Sequence, residues 1–413
     1  MKFFCALFCA ITSFANYSSA EFIDLKTIKE NTLQSNPNVI AAKLQLENAK
    51  QAYKTSISAF LPNVDFAIQA QQSQLQNYDV VEKHSYGLTS ALSIFSGFYS
   101  YNDLKEKFAE IKVAQSKFDR TVSNAAFEAK VNYINLKWAY QTVELLEKIR
   151  DRRIENNNMV KLKYNSGNAD LGSLKRVEAD VAMAEYDLQK AKRYVKTACA
   201  ALLKTLGRSD VDTIIETKER MFFSDNKTNN LELSIIERTP EFISAVCEVE
   251  SYQSQKAKTK SAYVPSVKLS GSWGKDSNSF FQGEENWNIS LTSTYSIFNG
   301  TARYAEFQIA SNLLKISLEN LKNTVNSLKS CAIENYNSLQ DAYEIVAVIS
   351  QYLKASELQS EISERKYVNG LSTYYDWYSI ENDYISAQKN FLDAQKNAEV
   401  EKCRWENFIG EAF

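Results

Sequence analysis

Residues 62–97 read PNVDFAIQAQQSQLQNYDVVEKHSYGLTSALSIFSG, and residues 265–300 read PSVKLSGSWGKDSNSFFQGEENWNISLTSTYSIFNG. Both stretches begin with proline, end with Ser-Ile-Phe-Ser/Asn-Gly, and lie 203 residues apart. The same offset relates Pro37 to Pro240, so the four prolines of the protein form two equivalent pairs. The chain therefore contains an internal duplication, and each copy is one structural unit.

Other positions follow the same offset without an insertion or deletion. Tyr164 and Gly167 recur as Tyr367 and Gly370, and six of the eleven glycines fall into such pairs. The duplication predicts a first repeat with one β-hairpin, a linker, and a second repeat with an equivalent hairpin. These are residues 21–207 with the hairpin at 62–97, the linker 208–236, and residues 237–413 with the hairpin at 265–300.

Residues 1–20 are predicted to be a secretory signal peptide. Lys2 supplies a positive start, an apolar run follows to Ala15, and Ser18-Ser19-Ala20 is a small-residue cleavage site. We expect cleavage after Ala20 and export of the remainder. The alternative is an ordinary buried N-terminal helix.

The amino-acid composition excludes some classes of protein and favours others. Only 11 glycines and 4 prolines occur in 413 residues, which predicts long uninterrupted helices. A net charge of −2 argues against nucleic acid as a partner. The cysteines after residue 20 show no metal-ligand spacing, and we interpret them as incidental buried thiols in helices; whether they pair is left open. They are Cys199, Cys247, Cys331 and Cys403.

Inside each duplicated stretch the periodicity is that of β-strands. Val64, Phe66 and Ile68 alternate with small or polar residues, and the second copy shows the same alternation around Trp273 and Trp287. Each strand is about ten residues long, the length of a tilted membrane-spanning strand. A soluble sandwich shows the same alternation, so this pattern alone leaves both interpretations open.

A very long helix is predicted after each hairpin. Apolar residues keep a spacing of three or four from about residue 101 to 164, and the second copy repeats the pattern, with Asn335 equivalent to Asn132. Roughly 60 residues at 1.5 Å each make a rod of about 90–95 Å. The return helices, 171–206 and 374–409, should each stack on the shorter helix that precedes the strands and complete a second rod of equal length.

Together these features resemble the TolC-type outer-membrane efflux proteins over essentially the whole chain after residue 20. The resemblance rests on the signal peptide, the two helix–strand–strand–helix–helix units, the Ser-Ile-Phe-Ser/Asn-Gly segments and the Tyr-x-x-Gly turns. It implies a mainly α fold of duplicated coiled-coil hairpins, an α-barrel, with four strands per protomer in a trimeric 12-stranded β-barrel. It also implies a location in the outer membrane of a Gram-negative-type bacterium, with a tunnel into the periplasm.

The resemblance further implies a periplasmic gate near the helix turns. Tyr367 lies three residues before Gly370, where a family member has tyrosine, and Asp376 lies six residues after it, where that member has a gating aspartate. One Asp376 per protomer would form a cation-binding constriction. The alternative is that Asp376 caps the start of its helix.

Several gate positions depart from the family pattern. Ser372 stands where a locking arginine is expected, and Ser379 where a second aspartate is expected. In the first repeat, Gly172 and Ser173 replace a Thr-Asp pair. The expected gate therefore consists of Asp376, Tyr367, Ser372, Ser379 and Ser173, with a weakened charged lock.

The turns themselves are expected to dock a partner. By resemblance, Asn165, Gly167, Asn369 and Gly370 face the inner membrane and contact a periplasmic adaptor that serves an inner-membrane pump. The implied function is a homotrimeric, passive exit duct in outer-membrane lipid, for efflux or type I protein secretion. A periplasmic adaptor and a structural coiled-coil protein are the alternatives. No catalytic set, cofactor or metal site is expected, and the cargo is not specified by the sequence.

Overall fold

The computed structural model describes residues 21–22, 25–74, 81–208, 215–216, 233–278 and 283–410. The predicted signal peptide and most of the predicted linker lie outside these ranges. The helices are α1 (Leu25–Ser35), α2 (Pro37–Ile57), α3 (Tyr99–Asn165), α4 (Leu171–Thr205), α5 (Pro240–Thr259), α6 (Ala302–Val368) and α7 (Tyr374–Phe408). The strands are β1 (Glu21–Phe22), β2 (Asn63–Ser73), β3 (Val81–Phe95), β4 (Ile215–Glu216), β5 (Ser266–Ser277) and β6 (Glu284–Thr294).

The duplication is visible in the helix bounds. Helices α3 and α6 have 67 residues each, and α4 and α7 have 35 each. At 1.5 Å per residue the long helices measure about 100 Å. In the described ranges, no helix combines the length and the apolar character needed to cross a membrane. The prediction of two equivalent helical hairpins, mainly α with a small β part, is confirmed.

The short helix α2 and the return helix α4 stack end to end along α3, as predicted. Asn36 forms the junction: its side-chain oxygen accepts a hydrogen bond from the Asn38 amide at 2.9 Å, and its Nδ2 donates to the Thr205 carbonyl at 2.8 Å. Pro37 follows as the first helical residue, where its missing N–H costs nothing. The Asn36 side chain therefore caps the N-terminus of α2 and also hydrogen-bonds to the last residue of α4.

Helix α3 lies at the centre of the chain. It packs against α2 and α4 of its own repeat and against α5 and α7 of the second repeat. Charged pairs mark the contact between repeats, including Arg120 with Glu241 at 2.6 Å and Lys130 with Glu406 at 2.8 Å. Helix α6, by contrast, packs against α5 and α7 of its own repeat.

The predicted linker contributes to the core. Strand β4 lies within residues 208–236 and pairs in parallel with β1 at the start of the described chain. Ile215 is fully buried in a cluster that includes Ile28, Leu136 and Leu202. The Tyr140 hydroxyl donates a hydrogen bond to the Ile215 carbonyl at 2.8 Å. Residues 215–216 therefore connect β1 and α1 to α3 and α4.

The four long strands form one antiparallel sheet in the order β2-β3-β5-β6. The register places Phe66, Leu88, Trp273 and Trp287 in a single row across all four strands. The neighbouring row on the opposite face consists of Asp65, Thr89, Ser272 and Asn288. One face of the sheet therefore carries large apolar side chains, and the other carries small polar ones.

The second strand of the second hairpin is shorter than predicted. The alternation predicts a strand through Ile297, but β6 ends at Thr294, which pairs with Ser266, the first residue of β5. Beyond that point no neighbouring strand continues within the described residues, and Ile297 is 86% exposed. Strand β3, an interior strand, continues to Phe95 because it pairs with Val267 across a β-bulge.

The four cysteines of the helices are free thiols. Cys199 and Cys247 are buried, which agrees with the interpretation from sequence. Cys403 is half-buried, and Cys331 is exposed, so the expectation of buried thiols is wrong for Cys331. Its position on α6 places the side chain on a face that the other described residues leave exposed.

Candidate functional site

The two helical hairpins end side by side. Gly167 and Gly370 have φ angles of +77° and +76°, the left-handed conformation that glycine adopts without strain after a helix. The turns use equivalent hydrogen bonds, such as Gly167 N to Tyr164 O at 2.9 Å and Gly370 N to Tyr367 O at 3.1 Å. Asn165 is the last residue of α3 and Asn369 is the C-cap of α6. The predicted tip residues therefore all lie in these two turns.

The return helices begin with equivalent capping interactions. At α4, Asp170 accepts from the Ser173 amide at 2.9 Å, and the Ser173 hydroxyl donates to Asp170 at 2.6 Å. At α7, Thr373 accepts from the Asp376 amide at 3.2 Å and its hydroxyl donates to the Asp376 carboxylate at 2.7 Å. In the first repeat the carboxylate belongs to the N-cap residue, Asp170. In the second repeat it belongs to the third helical residue, Asp376.

Within one chain, Ser173 and Asp376 of the predicted gate take part in these helix caps. The bonds from the Ser173 hydroxyl and amide hold the pKa of Asp170 below its ordinary value. Ser173 itself is buried, whereas Asp376 remains exposed beside its cap. Asp376 therefore caps a helix and also presents a carboxylate to the surroundings of the tip. Ser379 is exposed on the same helix, and Ser372 is half-buried in the turn.

Tyr367 lies between the two hairpins. Its ring stacks on Trp377 with centroids 4.8 Å apart and an interplanar angle of 4°, and it contacts Tyr374 edge to face. The Lys163 ammonium lies 4.4 Å from the ring centroid and donates to the Tyr367 carbonyl at 2.6 Å. Burial raises the pKa of the Tyr367 hydroxyl. This residue packs α6 against α3 and α7 in the isolated chain.

A wider pattern of cation–aromatic contacts joins the hairpins. In the four contacts nearest the helix turns, the first repeat supplies the cation and the second supplies the ring. Besides Lys163 and Tyr367, the contacts are Arg152 over Tyr384, and Arg153 and Arg176 over Tyr378. The hairpins are therefore chemically different where they meet, although their backbones are duplicated.

The strongest polar contact in this region was not predicted as a site. Arg152 on α3 and Glu381 on α7 form a two-pronged ion pair, with Nη2 and Oε2 2.9 Å apart. Ser360 on α6 donates to the same carboxylate at 2.8 Å, and Asn156 donates at 3.2 Å. Burial disfavours the Arg152 charge, but the bond and charge of Glu381 outweigh it and raise the pKa of Arg152.

The sequence carries a weak signal of this cluster. By the 203-residue offset, Ala355 is equivalent to Arg152, and Glu178 is equivalent to Glu381. Glu381 makes an ion pair between helices, whereas its equivalent Glu178 pairs with Lys175 on its own helix at 2.7 Å. A charged residue that breaks the repeat, such as Arg152, marks a contact between repeats.

Comparisons with known proteins agree with this architecture. A family model described as outer membrane efflux protein matches residues 29–208 and 234–404. The outer membrane protein VceC of Vibrio cholerae superposes with a TM-score of 0.84 at 17% identity, over 94% of this chain and 96% of that one. The MtrE outer membrane channel of Neisseria gonorrhoeae, in its open state, gives 0.82 at 18% identity, over 94% and 89%.

The CmeC outer membrane channel of Campylobacter jejuni gives a TM-score of 0.81 at 16% identity, over 94% of this chain and 86% of that one. A comparison with curated proteins found no significant match. At these identities the structural likenesses establish the fold, and the family match covers both repeats. The chain belongs to the outer membrane efflux protein family.

Proposed function

We propose that this protein is one subunit of a homotrimeric outer-membrane channel that serves as a passive exit duct for an efflux pump. The two-faced sheet carries the proposal. The row from Phe66 to Trp287 is apolar on one face, and the row from Asp65 to Asn288 is polar on the other. Lipid suits the first face and a water-filled lumen suits the second.

The edges of the sheet supply the means of assembly. Strands β2 and β6 are the two edge strands, and three antiparallel pairings separate them, so they run in opposite directions. Strand β6 of one copy can therefore pair antiparallel with β2 of the next, which continues the same hydrogen-bond pattern. Four strands are too few to enclose a lumen, whereas three copies supply twelve. Pairing in a ring also removes the exposed edges.

The helical hairpins extend the duct away from the sheet. With α3 and α6 each about 100 Å long, the tips lie far from the membrane and reach across the periplasm. Cargo enters at the tips when the hairpins move apart, and then diffuses through the lumen. In this proposal the partner pump supplies the energy and selects the cargo.

The tips are proposed to dock the periplasmic adaptor of that pump. Large apolar side chains project from both turns, and Leu371 is 77% exposed. Leu162, Leu171, Val368 and Tyr375 are also exposed at this end. Apolar side chains grouped at one end of a long protein are typical of a protein contact. The spacing of these apolar side chains is set by the residues of the two turns, which include Asn165, Gly167, Asn369 and Gly370.

We propose Asp376 as the charged group of the gate, with Tyr367, Ser372, Ser379 and Ser173 around it. Asp376 is exposed in the single chain, so three copies would present three carboxylates to the closed end of the tunnel. A ring of carboxylates attracts cations into a constriction. The family description favours efflux; protein export through a type I system is the second candidate for the same duct.

The test is to extract the full-length mature protein in detergent, measure its mass, and record its conductance in planar bilayers. A trimer with a small, stable, cation-selective conductance is the expected result. A monomer that dissolves without detergent and never conducts would overturn the proposal. Co-purification with an adaptor and pump, with and without Leu371→Asp, tests the docking role separately.

A further inference from the structure

A groove lies along α3, where α4 of the first repeat and α7 of the second approach each other. Its volume is about 460 Å³, within the range of pockets that bind small molecules. An ion pair between Lys389 on α7 and Asp187 on α4, 3.7 Å apart, joins its two sides. The apolar part of the lining consists of Trp138, Ala139, Leu145, Leu146, Ala191 and Leu392. The groove therefore offers an apolar surface between the two hairpins of one chain.

Two aromatic rings form one wall of this groove. Trp138 on α3 and Tyr194 on α4 meet edge to face, with centroids 5.6 Å apart and an interplanar angle of 89°. The indole N–H of Trp138 donates to Asp393 at 2.8 Å, and the Lys396 ammonium lies 4.7 Å from the ring centroid. Trp138 is thereby held in place, whereas Tyr194 is 41% exposed. The wall can pack against a flat ring of a ligand.

The polar part of the lining has more positive than negative charge. Its charged residues are Lys190, Arg193, Lys389, Asp187 and Asp393. Both carboxylates are engaged, Asp187 beside Lys389 and Asp393 by the Trp138 N–H. Lys190 and Arg193 are exposed, and no hydrogen bond or ion pair joins either of them to another described residue. They lie three residues apart on one side of α4, so both can contact the same anion.

The residues that give the groove its character are not repeated. By the 203-residue offset, Trp138 corresponds to Asp341, Tyr194 to Asn397, and Lys190 to Asp393. Both rings and the cation are therefore replaced in the second repeat, although the helices that carry them have equal lengths in the two repeats. The duplicated architecture does not require these side chains. Their presence in the first repeat alone indicates a role for this groove.

We propose that the groove binds a small organic anion, with a flat aromatic body and a carboxylate or sulfonate group. The body packs against Trp138 and Tyr194, and the acidic group lies between Lys190 and Arg193, which donate charge-assisted hydrogen bonds to it. Because α4 and α7 border the groove, the bound anion contacts both hairpins and joins them. The inference goes beyond the proposed channel and does not rest on it, since every residue of the groove belongs to one chain.

The experiment is isothermal titration calorimetry of the full-length mature protein in a neutral detergent, with two matched ligands. Naphthalene-2-sulfonate is the anion, and naphthalene-2-sulfonamide has the same ring and a similar shape without the charge. Titration into micelles alone corrects for partition into the detergent. We expect saturable binding of the sulfonate, with the sulfonamide weaker on the order of tenfold. A sulfonate that shows no saturable binding would overturn the proposal.

A double charge reversal tests the partners of the anion. Lys190→Glu with Arg193→Glu should weaken sulfonate binding by about tenfold or more and leave sulfonamide binding within about twofold. Lys192→Glu with Lys196→Glu is the matched control, with the same charge change on the same helix. Neither control residue belongs to the lining, and Lys192 pairs with Glu147 at 3.0 Å. The control should stay within about threefold of the parent, since salt screens distant charges. Equal losses in the two variants would contradict a specific site.

Tyr194→Ala tests the aromatic wall. It should weaken both ligands by about fivefold or more, because both use the ring. Tyr186→Ala is the control, since Tyr186 is exposed on the same helix and lies outside the lining of the groove. Melting temperatures near that of the parent establish that both variants are folded. A Tyr194 variant that is folded and binds both ligands as the parent does would overturn the proposed site.

Discussion

Arg152 and Glu381 join the two repeats through an ion pair about two helical turns into α7, with Glu381 buried and Arg152 half-buried. Glu381 is only 1% exposed, and its two oxygens accept from Arg152, Ser360 and Asn156. These groups come from α3, α6 and α7. Because a buried carboxylate without its cation is costly, each member depends on the others.

Replacing Arg152 with alanine should therefore destabilise the tip. We expect the free energy of unfolding to fall by about 2–4 kcal/mol, since the change leaves the Glu381 charge buried without a cation. Thermal unfolding of the purified protein measures the loss. Glu178→Gln is the control, because Glu178 occupies the equivalent position in the first repeat and pairs only at the surface, where we expect under about 1 kcal/mol. Equal effects of the two changes would contradict the prediction.

Asp376 takes part in the cap of α7 and is the proposed charged group of the gate, and substitutions can separate these two roles. Asp376→Asn keeps an oxygen that accepts from the Thr373 hydroxyl but removes the charge, whereas Asp376→Ala removes both. We expect only the alanine variant to lose helix-capping stability, by about 0.5–2 kcal/mol. Both variants should lose block by divalent cations in bilayer recordings. Conductance and divalent sensitivity that stay unchanged in both would rule out the gating role.

Gly207 and Gly410 occupy equivalent positions with different surroundings. Both have positive φ angles, +71° and +80°, so alanine is strained at either site. A Cβ at Gly207 would lie 2.1 Å from the Ser35 carbonyl oxygen, whereas a Cβ at Gly410 would meet no atom of the described residues within 4 Å. Gly410→Ala should cost about 1–2 kcal/mol from the backbone alone. Gly207→Ala should cost clearly more, because the Cβ pushes the end of α1 away from the end of α4; equal melting temperatures would contradict this.

The cysteines should react with maleimide at different rates. Cys331 is exposed, and its equivalent in the first repeat, Glu128, stays exposed although α3 is packed on both sides, so Cys331 should remain accessible in the trimer. Burial, with Glu406 nearby, raises the pKa of Cys403 to about 11. Since the thiolate is the reactive form, Cys403 should label on the order of 100-fold more slowly than Cys331 at pH 8. Its rate should rise towards pH 11. Rapid labelling of Cys403 at pH 8 would contradict the burial.

Much of the architecture could be predicted because it depends on residues that are close in sequence and because it occurs twice. The offset between Pro37 and Pro240 located both repeats, and Gly167 and Gly370 located both turns. The alternation around Phe66 and Trp273 predicted the strands. The gate was harder to predict, because the sequence gives no indication that Tyr367 stacks on Trp377 or that Ser173 is buried under Asp170.

By itself, the sequence determined the number of repeats, the lengths of the rods and the two-faced strands, since periodicity, proline and glycine act over a few neighbouring residues. Only the tertiary structure decided which side chains join the repeats. Arg152 and Glu381 are 229 residues apart, and their pairing depends on how α3 and α7 pack. The tertiary structure also showed that α3 packs against helices of both repeats, whereas α6 packs against α5 and α7 of its own repeat. That asymmetry arises because one chain has two repeats, so the packing between repeats covers one of the two equivalent faces.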